Sequence, residues 1–208
     1  MEKPAVSAHP IHELLKRRWS PLAFSGRMVE PEKLQSLFEA ARWAPSCFNE
    51  QPWNFVVCTR DSPEDHERLV SCLSEGNLPW ARTAPVLMLS VARRTFARNG
   101  NPNRHALHDV GLAVENLILQ AMALDLFVHQ MGGFDAAKAR TLFGIPDDHE
   151  PVAAIALGYP GDPEQLSPPL REREMAPRQR KPLDQFVFGG RWGQGASALG
   201  RLSGGTQT

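Results

Sequence analysis

Between a helical pattern and the strand-like run Asn54-Phe55-Val56-Val57-Cys58 lies the segment Ala44-Pro45-Ser46-Cys47-Phe48-Asn49-Glu50-Gln51-Pro52-Trp53. Two prolines fix its backbone near either end, and neither donates an N–H. Ser46, Asn49 and Gln51 stand between them, each able both to donate and to accept hydrogen bonds. A plain connector more often carries Gly or Asp-Gly turn chemistry. A rigid, amide-rich helix–strand junction suits a flat polar heterocycle.

Anion binding is the second chemistry on offer. Arg17 and Arg18 stand next to Ser20 after the first helical stretch, and Arg178, Arg180 and Lys181 lie far away near the C-terminus. Guanidinium groups take phosphate in bidentate fashion. If the C-terminal stretch packs back on the first helix, the two groups clamp one phosphate. Other chemistries fail on spacing. His105, His108 and Asp109 have helical i, i+3, i+4 spacing but no HExxH and no further cluster, so they read as polar residues of a helix start. Cys47 has no histidine near it in sequence to serve as a base. Neither G-x-G-x-x-G after a strand, nor a P-loop, nor a G-x-S-x-G elbow occurs.

The elements that must position these residues follow from periodicity. The first helix is expected from Pro10 to about Arg18, with Ile11, Leu14 and Leu15 as its apolar stripe. Pro31 opens a second helix, whose Leu34, Leu37, Phe38 and Ala41 recur at i, i+3, i+4, i+7. A strand should follow from Asn54 to about Thr59. Ser62-Pro63-Glu64-Asp65 reads as a capped helix start with Asp65 as the box acid. Pro85–Val91 has the pattern of a strand buried on both faces, and Arg93–Arg104 that of a surface excursion. Leu107–Leu126 reads as a helix apolar nearly all round, with Leu107 on its buried face. Asp135 should cap a helix ending at Gly144, and Val152–Leu157 should be the last buried strand. From Pro160 the scattered prolines indicate an extended arm. Helices and strands mix without hairpin signals, giving an α+β protein with one central sheet.

The chain has 208 residues, 42% hydrophobic and 22% charged, with a formal net charge of zero. That composition is globular, and nothing in it favours a nucleic-acid backbone. No run reaches membrane-span length, and Met1-Glu2-Lys3-Pro4 lacks a secretory h-region. Three cysteines with no CxxC pair indicate a reducing compartment, so a cytoplasmic location is expected.

Five segments in register resemble the FMN-dependent nitroreductase family over about residues 10–185. Arg17-Arg18-Trp19-Ser20-Pro21-Leu22-Ala23-Phe24 looks like its phosphate and ribityl segment, and Ala44–Trp53 like its APSxxNxQPW loop. Asn77-Leu78-Pro79-Trp80 is similar to its flavin-contacting Asn segment. Gln130-Met131-Gly132-Gly133-Phe134-Asp135 is similar to its GFD segment, and Arg178-Gln179-Arg180-Lys181-Pro182-Leu183 to its C-terminal phosphate stretch.

The resemblance implies a nitroreductase-like α+β fold: a central mixed or antiparallel sheet flanked by helices, with the C-terminal arm exchanged across a homodimer. Residues 1–188 would form a single FMN-binding domain and residues 189–208 a flexible Gly/Ser-rich tail. It implies FMN as cofactor and NADH or NADPH as co-substrate, with nitroaromatics or quinones as acceptors in a ping-pong cycle and no catalytic acid, base or metal. A non-turnover flavin-storage protein, or a specialised flavin enzyme such as a reductive dehalogenase or a flavin-consuming synthase, is the alternative. The implied cofactor residues are Arg17, Arg18, Trp19, Ser20, Asn77, Met131, Gly132, Gly133, Arg178 and Arg180. Pro45, Ser46, Cys47, Asn49 and Gln51 would come from the partner subunit. Leu22 and Trp80 depart from the family pattern, where Arg or Lys often stands. A flavin harder to reduce is therefore expected, unless Arg82 or Arg42 fills the role.

Overall fold

The computed structural model describes residues 2–197 and Gly200. In it, the apolar run expected as a buried strand becomes β2 (Val86–Arg93), with Val86 to Ala92 all buried. Two antiparallel neighbours flank it, β1 (Trp53–Thr59) and β4 (His149–Gly158). A further strand, β3 (Phe127–Met131), pairs antiparallel with β4, so the sheet order is β1-β2-β4-β3. The sequence pattern marks strand β3 only weakly. His129 and Gln130 interrupt its alternation, and with five residues it offers little period to detect.

Helices cover both faces, giving the expected α+β architecture. On one face α2 (Pro31–Arg42) and α5 (Ala106–Ala123) pack Leu37, Ala41, Val110, Ala113, Val114 and Leu117 against Val86, Met88, Ile155 and Leu157. On the other, α3 (Pro63–Val70), α4 (Leu78–Ala81), α6 (Ala136–Phe143) and the segment from Trp19 to Phe24 close over Leu87, Leu89, Ala154 and Ala156. The period-2 alternation of the strands thus feeds two separate cores.

Several local expectations need correction. The first helix, α1, is only Glu13–Arg17, and Pro10 lies outside it. His12 caps it by accepting the Leu14 N–H, while Ile11 and Leu15 remain exposed. Ser62 stands at the N-cap of α3 but makes no side-chain cap, and the Asp65 carboxylate pairs with Arg68. Leu107 sits on the outer side of α5, 39% exposed, since the buried stripe begins with Ala106, Asp109 and Val110. Asp135 and Gly144 cap α6 as expected, Gly144 in the left-handed conformation at φ 61°.

The segment after Pro160 is not simply extended. It contains α7 (Pro168–Met175), started by prolines in its first turn. Where the Gly/Ser-rich tail begins, Phe188 and Gly195 form a β-bridge. Residues 201–208 of that tail lie outside the described residues. Among the described residues, no helix is long and apolar enough to cross a membrane.

Candidate functional site

The amide-rich loop holds an unusual backbone. Phe48, Asn49 and Gln51 all adopt positive φ, at 54°, 57° and 52°. Left-handed geometry costs a non-glycine residue about 1–2 kcal/mol, least for Asn. Hydrogen bonds fix the shape. Gln51 N–H donates to Ser46 Oγ at 3.0 Å, and Gln51 Nε2 donates to the Asn49 carbonyl at 3.1 Å. Cys47 N–H donates to Asp109 Oδ2 at 3.0 Å. Asp109, only 3% exposed in the first turn of α5, thereby ties the loop to the helix. Ser46 and Gln51 therefore shape the loop, while the exposed Asn49 side chain makes no hydrogen bond among the described residues.

Outside this loop lies the Arg93–Arg104 excursion. Ala97 N–H donates to Glu50 Oε1, and the Arg98 guanidinium stacks 4.5 Å from the Phe48 ring centroid. Arg93 and Arg94 pair with Asp148 and Glu150. His105, His108 and Asp109 gather no metal site, and no such cluster of three occurs among the described residues.

At the end of β3, the Gly133 carbonyl accepts from Ser74 N–H at 3.0 Å and from Asn77 Nδ2 at 2.9 Å. A Cβ at position 133 would lie 2.6 Å from Ser74 Oγ and 2.7 Å from Asn77 Nδ2, so any side chain there would push both groups out of place. The N–H groups of Gly132 and Gly133 have no protein partner among the described residues. They are donors open to a ligand.

A basic cluster forms from opposite ends of the chain. The residues after α7 pack back on α1, where Arg178 donates to the Lys16 carbonyl at 3.0 Å and the Lys3 carbonyl at 2.7 Å. This brings Arg178 and Arg180 beside Arg18. Burial lowers the pKa values of Arg18 and Arg178; the Arg180 charge lowers both further, and the Arg18 charge lowers that of Arg178. Glu115 of α5 faces Arg18, and its carboxyl is raised, chiefly by burial. None of the three arginines forms an ion pair within 4 Å among the described residues. Three guanidinium groups with Glu115 as their one facing carboxyl, and no close ion pair among the described residues, suit a phosphate dianion.

Not every expected residue joins these groups. Arg17 turns away to Asp125 at 3.0 Å. Trp19 is buried at 5% and packs edge-on against Phe127 under the Lys3 ammonium, so it belongs to the core. Met131 is likewise buried. Ser20 is exposed and accepts from Arg18 at 3.4 Å. Leu22 and Trp80 are 2% and 0% exposed, so a cation placed there would sink into the core. The two fallback cations are also engaged elsewhere, Arg82 facing Glu67 at 3.7 Å and Arg42 facing Glu39 at 2.5 Å.

The strand order separates the remaining pieces. The amide-rich loop leads into β1, one edge of the sheet, while Gly132 and Gly133 leave β3, the other edge. Three interstrand spacings of about 4.8 Å put those edges about 14 Å apart. Arg18 lies on the β3 side: its charge reaches His129, whose ring meets the Pro21 carbonyl at 2.8 Å. Sequence reasoning missed Asp109 as the loop's anchor, Ser74 as the second donor to Gly133, and Glu174, whose acidic and basic neighbours give it the look of a solvated face.

A sequence model of the nitroreductase family matches residues 15–159. A putative NADH dehydrogenase/NAD(P)H nitroreductase of Stenotrophomonas maltophilia (strain K279a) is 30% identical over 184 residues, covering 80% of this chain and 92% of its own. Among solved structures, an oxidoreductase containing FMN superposes with a TM-score of 0.85 at 37% identity, over 90% of this chain and 96% of that one. A nitroreductase family protein from Clostridium difficile 630 gives 0.66 at 25% identity, over 86% and 96%.

Proposed function

The chain belongs to the nitroreductase family, an FMN-dependent oxidoreductase fold, and from that membership we propose that it binds FMN between two copies of itself. It would oxidise NADH or NADPH and reduce electron-poor acceptors such as nitroaromatics or quinones. The observation that carries this reading is the set of groups along the β3 side: three arginines at one place, and two unpartnered glycine N–H groups at the strand's end.

These residues fit the cofactor. Arg18, Arg178 and Arg180 hold the phosphate, and Ser20 serves the ribityl end. Gly132 and Gly133 offer backbone donors to the ring's polar side. Asn77 has its amide nitrogen committed to Gly133, which leaves its Oδ1 to accept. Bound FMN supplies hydride acceptance from NAD(P)H and electron delivery to the second substrate in a ping-pong cycle, while the protein contributes binding, orientation and electrostatics. No side chain is assigned to proton transfer.

The edge-to-edge separation of the Pro45–Gln51 loop from Gly132 and Gly133 supports a site completed by a second copy. Pro45, Ser46, Cys47, Asn49 and Gln51 would then line the ring held by the partner. The exposed Phe48 and Trp43, at 73% and 74%, are consistent with cover from another chain. Three unpaired cysteines support a cytoplasmic setting.

The buried Leu22 and Trp80 favour a second reading, flavin storage without turnover, because neither places a cation near the ring. Two measurements decide. A colourless protein that takes up no added FMN refutes the whole reading. FMN-loaded protein that does not oxidise NADH or NADPH with a nitroaromatic or quinone present refutes the reductase and leaves storage.

A further inference from the structure

Helix α7 has one buried residue, and it is a carboxylate. Glu174 is 3% exposed, and it accepts Leu22 N–H at 2.8 Å and Ala23 N–H at 3.5 Å. Its own backbone carbonyl accepts from the Lys3 ammonium. Leu170 packs partly against the core, but the rest of the helix shows no buried apolar stripe. An arm of this composition has little apolar area with which to dock. What holds it is the short hydrogen bond from Leu22 N–H to the buried carboxyl, with the Ala23 N–H at the limit of reach.

The position of that carboxylate matters. Glu174 fastens the arm to residues 22 and 23, and Arg178, four residues on, fastens it to Lys16. Arg18 and Ser20 lie between the two fastenings. We propose that Glu174 is the positioning residue of the phosphate site: by pinning α7 to the Leu22–Ala23 backbone it sets Arg178 and Arg180 against Arg18, so that all three enclose a phosphate monoester. The inference rests on the flavin mononucleotide reading above. Glu174 touches neither cofactor nor substrate and acts through the arginines. Lys3 and Arg173 are the charged groups that face it.

The test uses the full chain as apoprotein, with Glu174→Gln, which preserves shape, and Arg178→Ala for comparison. Each is titrated with FMN and with riboflavin, which lacks the phosphate. Both substitutions should weaken FMN about tenfold, the loss of one charge-assisted contact, and leave riboflavin within about twofold. Equal weakening of both flavins, or unchanged FMN affinity in Glu174→Gln, overturns the proposal. Tryptic cleavage after Arg178 and Arg180 provides a readout without flavin. Faster cleavage in Glu174→Gln than in wild type supports the pinning, and equal cleavage overturns it. A wild type that binds neither flavin refutes the function and the phosphate half of the inference, while the cleavage comparison still decides whether Glu174 holds the arm.

Discussion

The side-chain nitrogen of Asn77 and the absent Cβ of Gly133 occupy one space: Nδ2 donates to the Gly133 carbonyl at 2.9 Å, and a Cβ there would lie 2.7 Å from the same nitrogen. A loop 56 residues away in sequence is thereby locked to the end of β3. Gly133→Ala should destabilise the protein by about 1–3 kcal/mol through overpacking. Asn77→Ala should cost about 1 kcal/mol, since Ser74 N–H still serves the carbonyl. Urea unfolding of both variants measures the difference, and Gly133→Ala should show the larger loss.

Asn49 separates shape from contact in the amide-rich loop. Asn49→Gly keeps a residue content with φ of 57°, so its melting temperature should stay close to wild type while FMN affinity falls. Asn49→Val puts a β-branched residue in the left-handed region and should cost more than about 1 kcal/mol. Calorimetry and flavin titration on the same two proteins give both quantities.

Acid stability should depend on Tyr159. Its hydroxyl donates to Glu30 at 2.7 Å, and with the backbone and Arg27 it holds the Glu30 carboxyl down at about 2, against an ordinary value of 4.5. A depressed carboxylate stabilises the fold above its unfolded pKa, and that stability is lost as pH falls through the folded one. Wild type should therefore lose stability between pH 4.5 and about 2 at this group, and Tyr159→Phe should lose less across the same interval. Unfolding midpoints against pH check it.

Thiol counting should give one fast residue. Cys58 and Cys72 are 2% and 1% exposed, and burial pushes the Cys58 thiol up to about 11 and raises Cys72 as well. Cys47 is half-buried at the loop. A disulfide reagent at pH 8 should label one thiol per chain in native protein and three after denaturation. Added FMN should slow the native reaction.

Legibility in the sequence followed the strength of local physics. Strand β2 declared itself by an unbroken apolar run, and α6 by Asp135 and Gly144 at its two ends. Helix α7 did not, because its Arg and Glu residues form no apolar face and its prolines mimic a linker; it is stable through Glu174, a tertiary contact with residues 22 and 23. The box at Ser62 does not close: its N–H goes to the Thr59 carbonyl and the Asp65 carboxylate to Arg68. The arginines that gather near Arg18 were visible as two clusters, but nothing local distinguishes Arg18, which joins the cluster, from Arg17, which faces Asp125. Leu22 and Trp80 were read as gaps in the site, whereas the fold uses them as core.

Arg18 and Arg180 stand at opposite ends of the chain, and a ribosome releases those ends far apart in time. Residues 18 to 158 carry the sheet and most of both cores, and chains fold as they emerge. The cluster of arginines cannot close until the last segment is out. Any phosphate bound there would follow formation of the core instead of guiding it. A chain truncated before Arg178 and released should thus acquire protease resistance in the sheet without any grip on a phosphate.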